Sequence, residues 1–258
     1  MIEAAPLALG DFNTEALAAF VAAAARPVVL WPVGSTEPHG PHLPLSTDVV
    51  LAEENARRAA SRLRAEGVEA LVAPALPYGV TDFAAGFAGA VSVPAEVLTA
   101  LLVAGAEAFF RDGFKHVCLI NHHLEPGQLA AIEAARAQIA ERHGAHAISA
   151  PQVISRRWGR ALGAEFRSGA CHAGAYEGSL VLAAAPALVD RAAAALPALD
   201  VSLSAAIADA AAGFRAIGMT RAYTGQPAEA SPEEGERLYA ALTEMVTTEV
   251  REHLEKRP

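Results

Sequence analysis

Histidines and carboxylates that could hold metal ions are concentrated in three short segments of the chain. Five of the nine histidines lie there: His39 and His42, then His122 and His123, then His172. In the first segment, residues 34–48, extended backbone would point Glu37 and His39 the same way, because side-chain direction repeats every second residue. Asp48 would enter the same space from the first turn of the helix that follows.

The second segment, residues 121–125, contributes a similar pair, His123 and Glu125, two residues apart. Together with Glu37, His39 and Asp48, they give a mixed nitrogen and oxygen donor set that suits Zn²⁺ or Mn²⁺ and also admits iron. One carboxylate that bridges two ions would hold them roughly 3.5–4 Å apart, a spacing that can activate a hydroxide. The sequence therefore predicts a centre with two divalent metal ions.

The third segment, residues 171–179, places His172 and Glu177 on either side of small residues that let the backbone approach a ligand closely. A histidine near two metals is suited to proton transfer, so His172 and Glu177 are the predicted catalytic pair. Glu177 has two open roles, because it could orient His172 or ligate a metal. Cys171 is disfavoured as a nucleophile, since neighbouring side chains diverge in extended chain and no third group orients it.

Two further histidines in these segments are assigned other roles. His42 breaks the two-residue rhythm of the first segment and is interpreted as a loop residue that makes hydrogen bonds. His122 faces away from His123 in extended backbone, so it is expected to support the ligands or to contact the substrate.

The elements that must position these segments alternate between short β-type runs and longer helical runs. Predicted strands cover residues 27–33, 68–73, 115–120 and 145–149. Predicted helices begin near residue 47, cover 94–111, 126–143, 179–196 and 202–214 with breaks at Pro186 and Pro197, and open again at a capping box on Ser231. This order predicts an α/β fold with a parallel sheet, helices on both faces, and the first two segments at one ligand-binding edge.

Composition narrows the classes of protein that the chain could represent. The 258 residues carry a formal net charge of −9, which argues against a nucleic-acid partner. No uncharged apolar run of about 18 residues occurs and no basic residue precedes Arg26, so neither a membrane span nor a signal peptide is expected. With only two cysteines, a cytoplasmic location is expected. No long linker divides the chain, so residues 1–258 are expected to form a single domain.

Residues 32–48, PVGSTEPHGPHLPLSTD, resemble the first motif of the creatininase (creatinine amidohydrolase) family, PxGSxEQHGPHLPLxTD, with Pro38 in place of glutamine. Residues 121–125 resemble the asparagine-glycine-histidine loop of that family, in the version that carries glutamate two residues after the histidine. Residues 172–179 resemble its HAGxxETS motif, and weaker similarity extends over most of the chain. The sequence is identified as a member of this family.

The resemblance implies a three-layer α/β/α fold and specific roles for the site residues. Glu37, Asp48 and His123 would hold one metal, while His39, Asp48 and Glu125 would hold the other, with Asp48 as the bridge. His172 matches the proton-shuttling histidine. His122, Tyr78 and Tyr176 are expected to contact the substrate. Members of the family assemble into homo-oligomers, often hexamers, so the same is expected of this protein.

The implied activity is that of a metal-dependent amidohydrolase, in which a metal-bridging hydroxide attacks the C–N bond of an amide or cyclic amide in a small-molecule substrate. Alanine stands at Ala84, Ala88 and Ala90, where the family has histidine, proline and threonine, and this argues against creatinine as the substrate. Two alternatives stay open: a hydrolase of a keto-cyclitol or other ring that uses the same metals, and a non-catalytic member that only binds a ligand.

Overall fold

The computed structural model describes residues 6–191 and 195–256, which fold around a four-stranded parallel sheet. The strands are β1 (Val28–Val33), β2 (Ala70–Val72), β3 (His116–Asn121) and β4 (Ile148–Ser149). They lie in the order β2-β1-β3-β4, and every pairing is parallel. Each strand overlaps a predicted range, so the predicted parallel sheet is confirmed.

The two central strands, β1 and β3, bring the first two sequence segments together. Both strands are buried along their whole length, as expected for apolar strands that are covered on both faces. Their register pairs Val28 with His116 and Val33 with Asn121, so the two strands end at the same edge of the sheet. The loops that follow them therefore emerge side by side.

Helices cover both faces of the sheet, which confirms the three-layer α/β/α prediction. One layer consists of α2 (Thr47–Ala65), α6 (Ala175–Ala184) and α8 (Pro232–Glu255). The opposite layer consists of α3 (Ala95–Arg111) and α4 (Pro126–His143). Side chains of β1 alternate between the two layers, since Leu30 packs in the first core and Val29 in the second.

Three further α-helices lie in the described chain: α1 (Thr14–Ala23), α5 (Gly163–Ser168) and α7 (Leu203–Ala208). The sequence pattern does not predict α1, although the Asn13 side chain caps it by accepting a hydrogen bond from the Ala16 amide at 2.9 Å. The predicted start of α8 is confirmed, because Ser231 accepts a hydrogen bond from the Glu234 amide at 3.2 Å. Within the described residues, no helix is both long and apolar enough to cross a membrane.

The predicted helix over residues 179–196 has the wrong extent. Helix α6 begins earlier, at Ala175, and ends at Ala184. A single 3₁₀ turn at Pro186–Leu188 follows, because Pro186 cannot donate the next helical hydrogen bond. Residues 192–194 of that prediction lie outside the described residues.

The predicted helix over residues 202–214 is also wrong in extent, because α7 stops at Ala208. The chain leaves it through a Schellman motif, in which the Ala211 amide donates to the Ala206 carbonyl at 3.0 Å. Ala210 holds the left-handed position of this motif, with φ of 56°, where glycine is the usual residue. An alanine-rich sequence does not predict this helix end, since alanine is also the best helix former.

A 3₁₀ turn at Phe214–Ile217 follows and packs beside another 3₁₀ turn at Asp82–Ala84. Gly213 makes this approach possible. Its φ is 138°, and a Cβ at this position would lie 2.7 Å from the carbonyl oxygen of Phe83. The contact brings two aromatic side chains together, because the rings of Phe83 and Phe214 lie 5.6 Å apart.

Candidate metal centre

Six buried ionisable side chains converge at the edge where β1 and β3 end. They are Glu37 and His39 from the loop after β1, Asp48 from the first turn of α2, His123 from the loop after β3, His172 from the loop before α6, and Glu177 from the first turn of α6. Each is at most 5% exposed. A Cβ at Gly34 would lie 2.8 Å from the Val49 amide nitrogen, so glycine lets the loop after β1 pass this close to α2.

Asp48 lies between two sets of donor atoms. Its Oδ2 is 3.1 Å from His123 Nδ1, which is also 3.1 Å from Glu37 Oε1. Its Oδ1 is 3.3 Å from His39 Nε2, which is 3.4 Å from Glu177 Oε2. In each set, one atom per residue lies within 4.8 Å of the others, which is close enough to share one ion. We call these five residues the metal floor.

The metal floor fits divalent cations. It buries three carboxylates, and the residues that line the adjoining cavity in the described chain include no lysine or arginine. Asp48 Oδ2 and His39 Nε2 are buried without a hydrogen-bond partner of suitable geometry. Uncompensated buried charges cost several kcal/mol each, so this cluster needs cations close by. The mixed histidine and carboxylate donors match the preferences of Zn²⁺ and Mn²⁺.

Backbone carbonyls orient the two histidines of the floor. His39 Nδ1 donates to the Glu37 carbonyl at 3.2 Å, and His123 Nε2 donates to the Val80 carbonyl at 2.7 Å. Since a carbonyl can only accept, the other ring nitrogen of each neutral histidine presents its lone pair to the floor. The Thr81 hydroxyl also donates to Glu37 Oε2. The sequence analysis missed Val80 and Thr81, and no local pattern distinguishes them.

The pKa shifts in the metal floor indicate that protons balance the charge of its carboxylates. Burial lowers the pKa of His39, but the carboxylates of Asp48 and Glu177 outweigh it and raise that pKa to about 10. Burial raises the pKa of Glu177 to about 8, although His39 opposes the shift. Burial also opposes ionisation of Asp48, yet His39 and His123 hold its pKa below the usual range. Metal ions would displace these protons on binding.

His172 lies beside the floor and makes four contacts with its surroundings. Its Nε2 donates to the Pro38 carbonyl at 3.0 Å, and its Nδ1 lies 3.7 Å from Glu37 Oε1. The centre of its ring lies 4.3 Å from that of the His39 ring and 4.5 Å from that of the Phe214 ring. Burial and then the charge of His39 lower the pKa of His172 to about 4, so the ring is neutral near pH 7.

Comparison with known proteins identifies the family. A family model described as creatinine amidohydrolase matches residues 12–250, which is nearly the whole chain. The chain belongs to the creatininase family.

Relatives in this family differ in their described activities. The chain is 34% identical over 234 residues to a mycofactocin precursor peptide peptidase of Mycobacterium tuberculosis strain H37Rv, covering 84% of this chain and 82% of the relative. It is 30% identical over 249 residues to the corresponding peptidase of Mycolicibacterium smegmatis, covering 92% and 87%. The names of these relatives and of the family model are those of hydrolases.

Solved creatininase structures share the fold of the chain. A manganese form of creatininase superposes with a TM-score of 0.73 at 23% identity, covering 98% of this chain and 100% of the other. A zinc-zinc form superposes with a TM-score of 0.74 at the same identity and coverage. At this identity the likeness shows the creatininase fold alone.

Glu125, which the creatininase motif groups with the ligands, lies beside the metal floor. Its Oε1 accepts from the Asp82 amide at 2.9 Å, and its Oε2 accepts from the Phe83 amide at 3.2 Å. Its Oε2 is 3.9 Å from His123 Nε2, the nitrogen that faces away from the floor. Burial raises the pKa of Glu125 to about 7. In this arrangement Glu125 anchors the 3₁₀ turn at Asp82–Ala84.

A cavity of about 270 Å³ opens above the metal floor. His122, Glu125, Cys171 and His172 contribute to its lining beside the floor. The lining also includes the apolar side chains of Phe83, Ile154, Leu203, Ile207 and Phe214, which we call the apolar wall. The sequence analysis missed the wall, although Leu203 and Ile207 have the four-residue spacing of one helix face.

The remaining residues predicted to contact the substrate lie in different surroundings. His122 lines the cavity, and its Nε2 is 3.1 Å from the Asn55 side-chain nitrogen. Tyr78 is 49% exposed, and Tyr176 is buried with its ring 4.7 Å from that of Phe166. Neither tyrosine is among the lining residues of the cavity. Burial raises the pKa of the Cys171 thiol to about 12, which keeps it protonated.

Proposed function

We propose that the protein is a metal-dependent hydrolase that cleaves the C–N bond of an amide, with a peptide amide as its favoured substrate. The observation that carries this proposal is the metal floor, in which Asp48 offers one carboxylate oxygen to each of two donor sets. Zn²⁺ and Mn²⁺ are the proposed ions, since both suit these donors. When bound, such ions supply Lewis acidity and lower the pKa of a water molecule enough to make it a nucleophile near pH 7.

Five side chains would hold the two ions. Glu37, Asp48 and His123 form the first proposed site, as the family motif implies. For the second site, the geometry favours His39, Asp48 and Glu177, because Glu177 Oε2 lies 3.4 Å from His39 Nε2. The Ala173 amide donates to the same carboxylate oxygen at 2.6 Å and fixes its position. The ligand role of Glu177 is therefore preferred over that of orienting His172.

Proton transfer is proposed at Nδ1 of His172. Because Nε2 donates its hydrogen to the Pro38 carbonyl, the lone pair of the neutral ring is on Nδ1, on the side of Glu37. In the neutral ring, this nitrogen can accept a proton from the attacking water. The same nitrogen then returns the proton to the leaving amine, so the C–N bond breaks without release of an amide anion.

The cavity favours a peptide over a keto-cyclitol. A cyclitol has hydroxyls around its ring, and those that lie against the apolar wall give up hydrogen bonds to water without replacement. A peptide can place its amide at the metal floor and an apolar side chain against the wall. The mycobacterial relatives described as peptide peptidases, at 34% and 30% identity, support the same substrate class.

Removal and return of metal test this proposal. The protein would be freed of metal with a chelator, dialysed, reloaded with Zn²⁺ or Mn²⁺, and assayed with short peptides for release of new amines. Peptide cleavage is expected only after reloading, with little hydrolysis of a keto-cyclitol. Equal cleavage by the metal-free protein would refute the metal dependence. Hydrolysis of the ring alone would favour that alternative, and two bound ions without any hydrolysis would favour a non-catalytic member.

A further inference from the structure

The apolar wall is formed by parts of the chain that are remote in sequence. Leu203 and Ile207 lie four residues apart on α7 and share one face of that helix. Phe214 comes from the 3₁₀ turn that follows, Phe83 from the turn at Asp82–Ala84, and Ile154 from the loop after β4. All five side chains line the cavity above the metal floor.

Among the described residues that line this cavity, the ionisable side chains belong to the metal floor or lie beside it. The polar group that α7 contributes is the Ser204 hydroxyl. That hydroxyl lies 3.3 Å from the Ser202 hydroxyl. Arg215 follows Phe214 in the chain, but its guanidinium stacks 4.3 Å from the Phe87 ring and does not line the cavity. The described lining residues include no lysine or arginine, so the apolar wall offers no cation to a substrate carboxylate.

We propose that the cavity binds an uncharged, apolar group of the substrate, next to the amide that is cleaved, and selects against a carboxylate or an ammonium at that position. This inference rests on the proposed function and names the substrate class for the same site. The volume of about 270 Å³ lies just below the roughly 300–1,000 Å³ of pockets that enclose a whole small ligand. It therefore suits one large side chain of a longer molecule.

The free energy of burial favours an apolar group over both a negatively and a positively charged group. A leucine or phenylalanine side chain gains roughly 10- to 150-fold in affinity when it is fully buried against apolar surface. A carboxylate would lose its water and meet no cation on the wall. An ammonium would find little attraction once two divalent ions offset the carboxylates of Glu37, Asp48 and Glu177 in the metal floor and of Glu125 beside it.

A set of matched pentapeptides tests the proposal with the metal-loaded protein. The peptides differ in a single residue, which is leucine, phenylalanine, aspartate or lysine, placed at each position in turn. At one position next to the cleaved bond, kcat/KM for leucine or phenylalanine is expected to exceed that for aspartate or lysine by at least about tenfold. Equal rates for charged and apolar residues at every position would overturn the proposal.

Two matched variants locate the selection. Ile207→Lys places an ammonium on the wall, so kcat/KM for the leucine peptide should fall by at least about tenfold, while the aspartate peptide gains relative to it. Ile217→Lys is the control, because Ile217 packs in the same apolar cluster but does not line the cavity. It should leave the ranking unchanged. Metal content and the melting temperature report whether each variant is folded and loaded.

The two proposals fail in different ways. If the metal-loaded protein cleaves none of the peptides, the proposed function is wrong, and dissociation constants of the uncleaved peptides from calorimetry then test the pocket. Binding that is at least about tenfold tighter for leucine than for aspartate, and that is lost in Ile207→Lys, would support the apolar pocket. The same ranking in Ile207→Lys as in the unmodified protein would contradict it.

Discussion

The metal floor and the apolar wall line one cavity but are built in different ways. The floor is polar, at most 5% exposed, and held by hydrogen bonds at the ends of β1 and β3 and the first turns of α2 and α6. The wall is apolar, comes from short helices and loops, and includes Ile154, which is 50% exposed. Substitutions in the floor should therefore remove metal and chemistry, whereas those in the wall should change stability and substrate choice.

The largest effect is expected at Asp48, which both donor sets share. Asp48→Asn removes the negative charge between them, so bound metal and peptide hydrolysis should be lost together, with turnover falling by roughly a thousandfold or more. Elemental analysis and the peptide assay measure both losses. Glu53→Gln changes an exposed carboxylate on the same helix and should alter neither quantity. Full metal content in Asp48→Asn would contradict the proposal that Asp48 is a metal ligand shared by both sites of the metal floor.

The next largest effect is expected at His172, whose ring contacts His39 of the metal floor and Phe214 of the apolar wall. His172→Gln should lower turnover by roughly 10²–10⁴-fold, because the group that moves the proton is lost, while both ions stay bound. His253→Gln is a suitable control, since His253 lies on α8 and donates to the Glu249 carbonyl at 2.8 Å. If His172→Gln loses metal as well, His172 belongs to the floor as a ligand.

A smaller effect is expected from the wall itself. Phe214 is 4% exposed and contacts the rings of His172, Phe83 and Phe87. Phe214→Ala should lower the free energy of unfolding by about 3 kcal/mol, because it deletes a large buried ring, without reducing metal content. Urea denaturation of the metal-loaded protein measures the first quantity, and elemental analysis the second. Loss of metal would show that the wall also supports the floor.

The smallest effect is expected at the end of α7. Ala210→Gly should raise the free energy of unfolding by about 0.5–1 kcal/mol, because glycine adopts the left-handed φ of 56° without the clash of a Cβ. Ala206→Gly within the same helix should instead lower that free energy by about 1 kcal/mol. Thermal denaturation compares the two variants, and an equal sign for both would contradict the assigned helix end.

More of the metal floor than of the apolar wall could be predicted from the sequence. Apolar β1 and β3 and the polar segments after them follow from periodicity, so the convergence of Glu37, Asp48 and His123 at one edge was predictable. Hydrogen bonds that cross between elements were not, because they depend on tertiary contacts. The anchoring of Glu125 by the amides of Asp82 and Phe83 is one such contact.

The wall was not predicted because its sequence has little contrast. Residues 202–214 consist mostly of alanine and other apolar residues, so a continuous helix was the expected structure. The stop at Ala208 depends on the left-handed conformation of Ala210, which alanine rarely adopts. The turn that follows points Phe214 at the cavity, and no periodic pattern could assign that direction.

The most direct test of two ions on the floor is an anomalous difference map from crystals of the Zn²⁺-loaded protein. Two peaks are expected on either side of Asp48, one beside Glu37 and His123 and the other beside His39 and Glu177. A single peak, or none next to Asp48, would contradict the proposed pair of ions.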